Sequence, residues 1–100
     1  MESRVAPNHS APDPPERRLW QRVLNECWPL TDKGGNGHAR GIPTRPAVPV
    51  MVWLDFERDG VCWLRAQAVR WHGRHVCVML TDDRLPVAYV WVEATDVQRT

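Results

Sequence analysis

The stretch VCWLRAQAVRWHGRHVCVML, residues 61–80, decides the fold. Leu64, Ala66 and Ala68 take every second position before a His72-Gly73-Arg74 connection, and Val76, Val78 and Leu80 resume the spacing after it. A period of two marks extended backbone with one buried face, because successive side chains of a strand point to opposite sides. Two strands joined by a tight glycine turn follow. Upstream, Val50, Val52, Leu54 and Phe56 alternate with Met51, Trp53 and Asp55, and Glu57-Arg58-Asp59-Gly60 supplies a turn with glycine at the left-handed position. Downstream, Thr81-Asp82-Asp83-Arg84 turns the chain into residues 87–92, where Ala88, Val90 and Val92 continue the apolar set. Ala94-Thr95-Asp96-Val97 reads as one closing turn, with Val97 as a lid. Residues 48–98 are therefore expected to form a small antiparallel β-barrel or curled sheet of four strands.

The remainder divides into three. Residues 1–13 are polar and proline-bearing without apolar periodicity, so burial cannot offset the entropy of ordering them, and a disordered arm is expected. Residues 14–29 read as an amphipathic helix. Asp13 can cap it, Pro14 suits its first position, and Leu19, Trp20, Val23, Leu24, Cys27 and Trp28 recur as adjacent pairs every four residues before Pro29. Residues 30–47 carry Gly34, Gly35, Gly37, Gly41, Pro43 and Pro46, a density that excludes helix and central strand and predicts a tether. The expected class is thus mainly β with one N-terminal α-helix.

Composition narrows the function. One hundred residues allow one modest core, and 13 basic against 12 acidic side chains give no surplus that demands a polyanionic partner. No apolar run approaches the ~20 residues needed to cross a bilayer, so a soluble, cytoplasmic protein without membrane contact is expected. Three cysteines are too few and too irregular for a disulfide scaffold. The bias toward arginine points to a GC-rich genome such as an actinobacterium's. Six tryptophans are more than so small a core readily encloses, which places some of them at a surface.

The side of the sheet opposite the valine-lined core is where those rings fall. Trp63, Arg65, Gln67, Val69 and Trp71, then His75, Cys77 and Met79, then Val87, Tyr89 and Trp91 share the other parity. Either the helix covers this aromatic face, setting Trp20 and Trp28 against Trp63 or Trp91, or another molecule does. The residues expected to meet a partner are Trp63, Arg65, Trp71, Arg74, Tyr89 and Trp91. A protein partner is the first expectation. Nucleic acid is the alternative, since Arg65, Arg70, Arg74, Arg84, His72 and His75 interleave with rings that stack on bases, although residues 47–100 hold six basic and seven acidic side chains.

Catalytic and metal readings are weaker. Cys62, His72, His75 and Cys77 are zinc-type ligands, but alternation sends Cys62 and Cys77 to opposite faces. Cys77 with His75 lacks an orienting group and an oxyanion loop. The carboxylates Asp55, Glu57, Asp59, Asp82 and Asp83 cluster at turns, and Gly34-Gly35-Asn36-Gly37 lacks the lysine and serine of a phosphate loop. Pro12-Asp13-Pro14-Pro15-Glu16-Arg17 fits a loose proline-ligand pattern that its capping role already explains. No enzyme activity, metal or cofactor is expected.

Four short consecutive strands and a helical turn ending Trp91-Val92-Glu93-Ala94-Thr95-Asp96-Val97 resemble a Tudor-type or Src-homology-3-like small barrel. The resemblance covers residues 48–98 and lies in the order of elements. It departs from the peptide-binding members, whose acidic loop and aromatic pair have no counterpart here. Val69-Arg70-Trp71-His72-Gly73-Arg74-His75-Val76 with Val90-Trp91-Val92 is also similar to short proteins of actinobacterial integrative and conjugative elements. Together these imply a non-catalytic interaction module accessory to the maintenance, regulation or transfer of a mobile element. If Arg65 and Arg74 serve a partner rather than the fold, the double variant Arg65→Ala/Arg74→Ala keeps its thermal midpoint nearly unchanged in a melting experiment; unfolding would reassign both to structure.

Overall fold

The computed structural model describes residues 19–30 and 41–100. The expected disordered arm, the first turn of the expected helix and the glycine run of the tether lie outside these residues. Five strands follow one another: β1 (Val48–Phe56), β2 (Gly60–His72), β3 (His75–Met79), β4 (Tyr89–Glu93) and β5 (Val97–Arg99), with a 3-10 turn, Ala94–Asp96, between the last two. They form one antiparallel sheet in the order β4-β3-β2-β1-β5. No pairing joins β4 to β5 among the described residues, so the sheet is open rather than closed through its ladder.

The turns are where glycine permits them. Gly60 at φ +79° and Gly73 at φ +60° occupy the left-handed region that costs other residues strain, and each reverses the chain into its partner strand. β1 and β2 align Val52 with Leu64 and Leu54 with Cys62, which stacks the even-numbered side chains of both on one face. There Val52, Leu54, Phe56, Val78, Val90 and Val92 are essentially sealed from solvent. Leu64, Val76 and Val97 pack against them, as alternation predicts, whereas Ala88 is exposed. β5 is an element beyond the four strands expected: the closing turn does not end the chain's structure but feeds Val97 into pairing with Val52.

No α-helix is present among the described residues, and the expected helix over 14–29 is corrected over 19–29. Residues 22–30 run as a non-helical strap, extended except for a turn at Leu24 and Asn25 closed by the Glu26 N–H on the Val23 carbonyl at 3.2 Å, and its exposed positions alternate with partly or fully buried ones. A spacing of four keeps Val23 and Cys27 on one side of extended backbone as well as on one stripe of a helix, and tertiary bonding selects the extended form, which turns their neighbours Leu24 and Trp28 outward. Leu24 donates its N–H to the Asp55 carbonyl at 2.7 Å and Arg22 accepts from Glu57 at 3.0 Å, so Val23 bridges Phe56 in antiparallel fashion. The strap then crosses to the other side of the sheet, where Cys27 donates to the Trp91 carbonyl on β4 at 2.7 Å.

Asn25 is the strap's principal side-chain anchor. Its amide nitrogen donates to the Trp53 carbonyl at 2.8 Å and to Asp96 Oδ2 at 3.0 Å, and its oxygen accepts from the Asp55 N–H at 2.9 Å. Three elements, strap, β1 and the 3-10 turn, are held by this one group. Asn25→Ala strands the Asp55 N–H and the Trp53 carbonyl where they are partly buried, and is expected to cost about 1–3 kcal/mol in urea unfolding; an unchanged midpoint would show that water satisfies them.

Candidate functional site

A single aromatic face does not form, because β2 carries a bulge. Its pairing with β3 runs from Ala68 opposite Val78 directly to Arg70 opposite Cys77, leaving Val69 as the extra residue. From that point the parity of β2 is reversed. Trp71, expected on the outer face, pairs with Val76 and packs against the main core, with the Arg45 guanidinium 4.8 Å from its ring centre. Arg70 takes the outer position, 5.6 Å over the Trp91 ring, with its Nε donating to the Ile42 carbonyl at 3.0 Å.

Trp91 is also corrected as a contact residue: it is fully buried. It forms a second, smaller core with Ile42, Cys77 and Val69 on the far side of the sheet. Residues 41–47, the end of the expected tether, lie across this side. Ile42 is buried, and the N–H of Arg45 bonds the carbonyl of the bulge residue Val69 at 2.7 Å. Trp28 stacks at 6.2 Å from Trp91 and edge-on at 6.3 Å from Tyr89. Cover by the N-terminal segment is thus observed, delivered by an extended strap. The Trp91 indole N–H has no acceptor among the described residues, an uncompensated polar group inside an otherwise apolar cluster.

The other expected contact residues separate. Trp63 and Arg65 stand exposed on the outer face of β1 and β2, Trp63 directly opposite Trp53 and Arg65 opposite Met51. Val61, 55% exposed, completes this patch. Trp53, whose parity on β1 is the same as that of Met51, belongs to the surface although it was not among the expected contacts. Arg74 projects from the β2–β3 turn, 84% exposed and 3.8 Å from Glu93. Tyr89 lies at the free edge of β4 beside a cleft of about 490 Å³ lined by Trp20, Leu24, Glu26, Leu85, Val87 and other residues of the strap and the β3–β4 loop.

Arg84 is structural. Its guanidinium lies 3.9 Å over the Phe56 ring, bonds both oxygens of Asp82 at 2.9 Å, and reaches Asp59 at 3.2 Å. It ties the β3–β4 loop to the β1–β2 turn, and Asp59 and Asp82 are its counter-charges rather than a cation site. Hydrogen bonding from Arg84 holds the Asp82 carboxyl below the usual carboxylate range, and the same bonds raise Arg84 further.

The thiols and imidazoles do not assemble chemistry. Cys62 is on the main-core side, with its sulfur 3.9 Å from Arg84, while Cys77 is buried on the other. Burial pushes the Cys77 thiol up to about 11, opposed in part by Arg70, so it stays protonated and poorly nucleophilic at neutral pH. His75 Nδ1 is spent on the Cys27 carbonyl at 3.3 Å. Among the described residues no three histidine, cysteine or carboxylate side chains converge on a metal-sized site. Nor is any helix among them long and apolar enough to cross a membrane.

No protein-family model, curated protein or solved structure matches this chain. The site therefore has to be read from its own geometry.

The Asp82–Arg84 pair gives a pH test. A depressed folded-state value contributes stability that is fully present above the unfolded carboxyl's ~3.9 and is lost as pH falls through the folded value. Asp82→Asn is expected to cost about 2 kcal/mol at pH 7 in urea unfolding and progressively less below pH 4. An equal cost at both pH values would assign the loss to packing.

Proposed function

We propose that this chain is a non-catalytic protein-interaction module built on a Src-homology-3-like, partly open barrel. The order β4-β3-β2-β1-β5 and the 3-10 turn before β5 support the barrel reading. An accessory role in the maintenance, regulation or transfer of a bacterial mobile element belongs to the same proposal and rests on the sequence resemblance of residues 69–76 and 90–92 alone.

The observation that carries the module reading is the cross-strand pair Trp53–Trp63 with Met51 and Val61 beside it. The main core lies on the opposite face, and here Val61 and Trp63 are exposed and Met51 and Trp53 half-buried, which leaves apolar surface for a partner. Large amphipathic rings concentrated on a flat strand surface are the groups that dominate protein–protein contact energies. Arg65 at the margin supplies a directional hydrogen-bond donor.

Charge ranks a protein partner above nucleic acid. Arg84 is engaged by Asp82 and Asp59, Arg70 by the Ile42 carbonyl, and Arg58 and Arg74 have carboxylates at 3.8 Å. On the tryptophan face Arg65 stands opposite Met51, and Asp55, opposite Val61, puts a negative charge on the same face. A track of several free cations, which sequence-independent phosphate binding requires, is lacking among the described residues.

Trp63→Ser is expected to lower stability by no more than about 1 kcal/mol, the size of a cross-strand pair, while abolishing co-purification of a stoichiometric protein from the host strain. Titration with a labelled single strand and a duplex at two salt concentrations should give no shift at micromolar protein. A salt-dependent shift that Trp63→Ser removes would overturn the protein reading in favour of nucleic acid.

A further inference from the structure

A second open surface lies at the seam between β4 and the strap. β4 is an edge strand of sequence Tyr-Val-Trp-Val-Glu, with no lysine, proline or bulge to discourage pairing. Such an edge ordinarily carries one of these devices or is covered. Which of its backbone groups are open follows from the ladder. Leu80 donates to the Ala88 carbonyl and Ala94 to the Arg74 carbonyl, so the even-numbered residues of β4 exchange bonds with β3. The N–H and C=O groups of Tyr89 and Trp91 consequently point away from β3.

One of these four groups is taken: Cys27 of the strap donates to the Trp91 carbonyl at 2.7 Å. The Trp91 N–H and both backbone groups of Tyr89 meet no partner among the described residues. N-terminal to Cys27 the strap leaves β4 and bonds β1 instead, through Leu24 and Arg22. The divergence opens the cleft of about 490 Å³ described above. One wall is Trp20, Val23, Leu24 and Glu26, the other Leu85, Pro86, Val87 and Tyr89. Leu24 at 53%, Val87 at 51% and Tyr89 at 40% exposure leave its apolar lining open to solvent.

We propose that this seam takes an extended peptide segment of a partner protein, added to the outer edge of β4 as a sixth strand. The inference rests on the module reading and places a second contact at a site distinct from the Trp53–Trp63 face. The occupant follows from two features. First, the outward N–H and C=O groups of Tyr89 and the Trp91 N–H repeat at strand spacing along one edge that already takes one backbone bond, from Cys27 to the Trp91 carbonyl, and an extended segment matches that repeat. Second, a strand bonded there sends alternate side chains toward the Trp20, Leu24, Val87 and Tyr89 lining, which asks for apolar residues at every second position. The wall charges, Arg22, Glu26 and Glu57, are of both signs and do not call for a polyanion. A second copy is a poorer occupant than a peptide. Its own β4 carries a strap beside the same edge, and pairing the two edges would bring both straps into the one seam.

The test uses the full-length protein and a displayed library of random seven-residue peptides. Selection is expected to enrich sequences with alternating apolar residues. A synthetic version of the strongest should slow hydrogen exchange at the Tyr89 amide at least tenfold. N-methylation at one alternate set of its peptide nitrogens should weaken binding tenfold or more, while the other set tolerates it. Tyr89→Pro, which removes the outward N–H together with the ring that lines the seam, should bind as weakly; the N-methyl series alters no residue of the protein, isolates the backbone bonds from the ring, and holds even if that variant misfolds. Four results overturn the proposal: no enrichment, binding indifferent to N-methylation, Tyr89 protection that appears without peptide as protein concentration rises, or peptides lost with Trp63→Ser but kept by Tyr89→Pro. The last would leave the interaction module standing and move its peptide contact to the tryptophan face.

Discussion

β1 is nine residues long and β5, its neighbour on one side, is three. The strand at the centre of the core would therefore carry unsatisfied N–H and C=O groups along its C-terminal half, at Trp53, Asp55 and Glu57. Buried or half-buried backbone groups left without partners cost as much as the hydrogen bonds they forgo. The strap at residues 20–28 answers that demand with the bonds of Arg22, Leu24 and Asn25, and its bridging residue, Val23, joins the core as a consequence. The extended form of this segment is thus dictated by β1's missing neighbour and not by its own propensity.

The same strap explains why the protein has two small cores. Having served β1, it crosses to β4 and brings Trp28 onto Trp91, while residues 41–47 bring Ile42 in from another direction. A sheet of five short strands with one dry face is a marginal object, since small domains bury only about 60% of their unfolded surface. Sealing Trp91 and Cys77 on the second face adds apolar burial that the strands alone do not supply. The orphaned Trp91 indole N–H is the polar penalty of that arrangement.

Burial of Trp91 and inversion of Trp71 leave fewer aromatic groups free than the composition suggests, and this sharpens the functional reading. What remains outside is a paired-indole patch on β1 and β2, and on the other side an open strand edge flanked by an apolar cleft. Both are surfaces for binding. Of the cations offered by the sequence as phosphate contacts, Arg65, His72 and Arg74 are exposed, whereas Arg70, His75 and Arg84 are drawn into the fold, Arg84 most completely, where it stacks on Phe56 and locks two loops together.

The sheet is legible in the order of residues: period-two spacing locates β1 to β4, glycines at positions 60 and 73 place the turns, and the even-numbered apolar residues, Ala88 excepted, mark the core. These are local properties, set by side-chain alternation and by which residues tolerate positive φ. The bulge left a trace in Arg70, a cation at the next inward position after Ala66 and Ala68, but that trace alone does not say where the parity resets. The form of residues 19–30 is not legible there, because a spacing of four suits a helical stripe and one side of extended backbone alike, and the choice falls to backbone groups of β1 more than 25 residues away. The tertiary structure decides equally that Trp91 is core and Trp63 is surface, because residues of like parity on a sheet differ in what lies above them, and what lies above is set by segments distant in the chain.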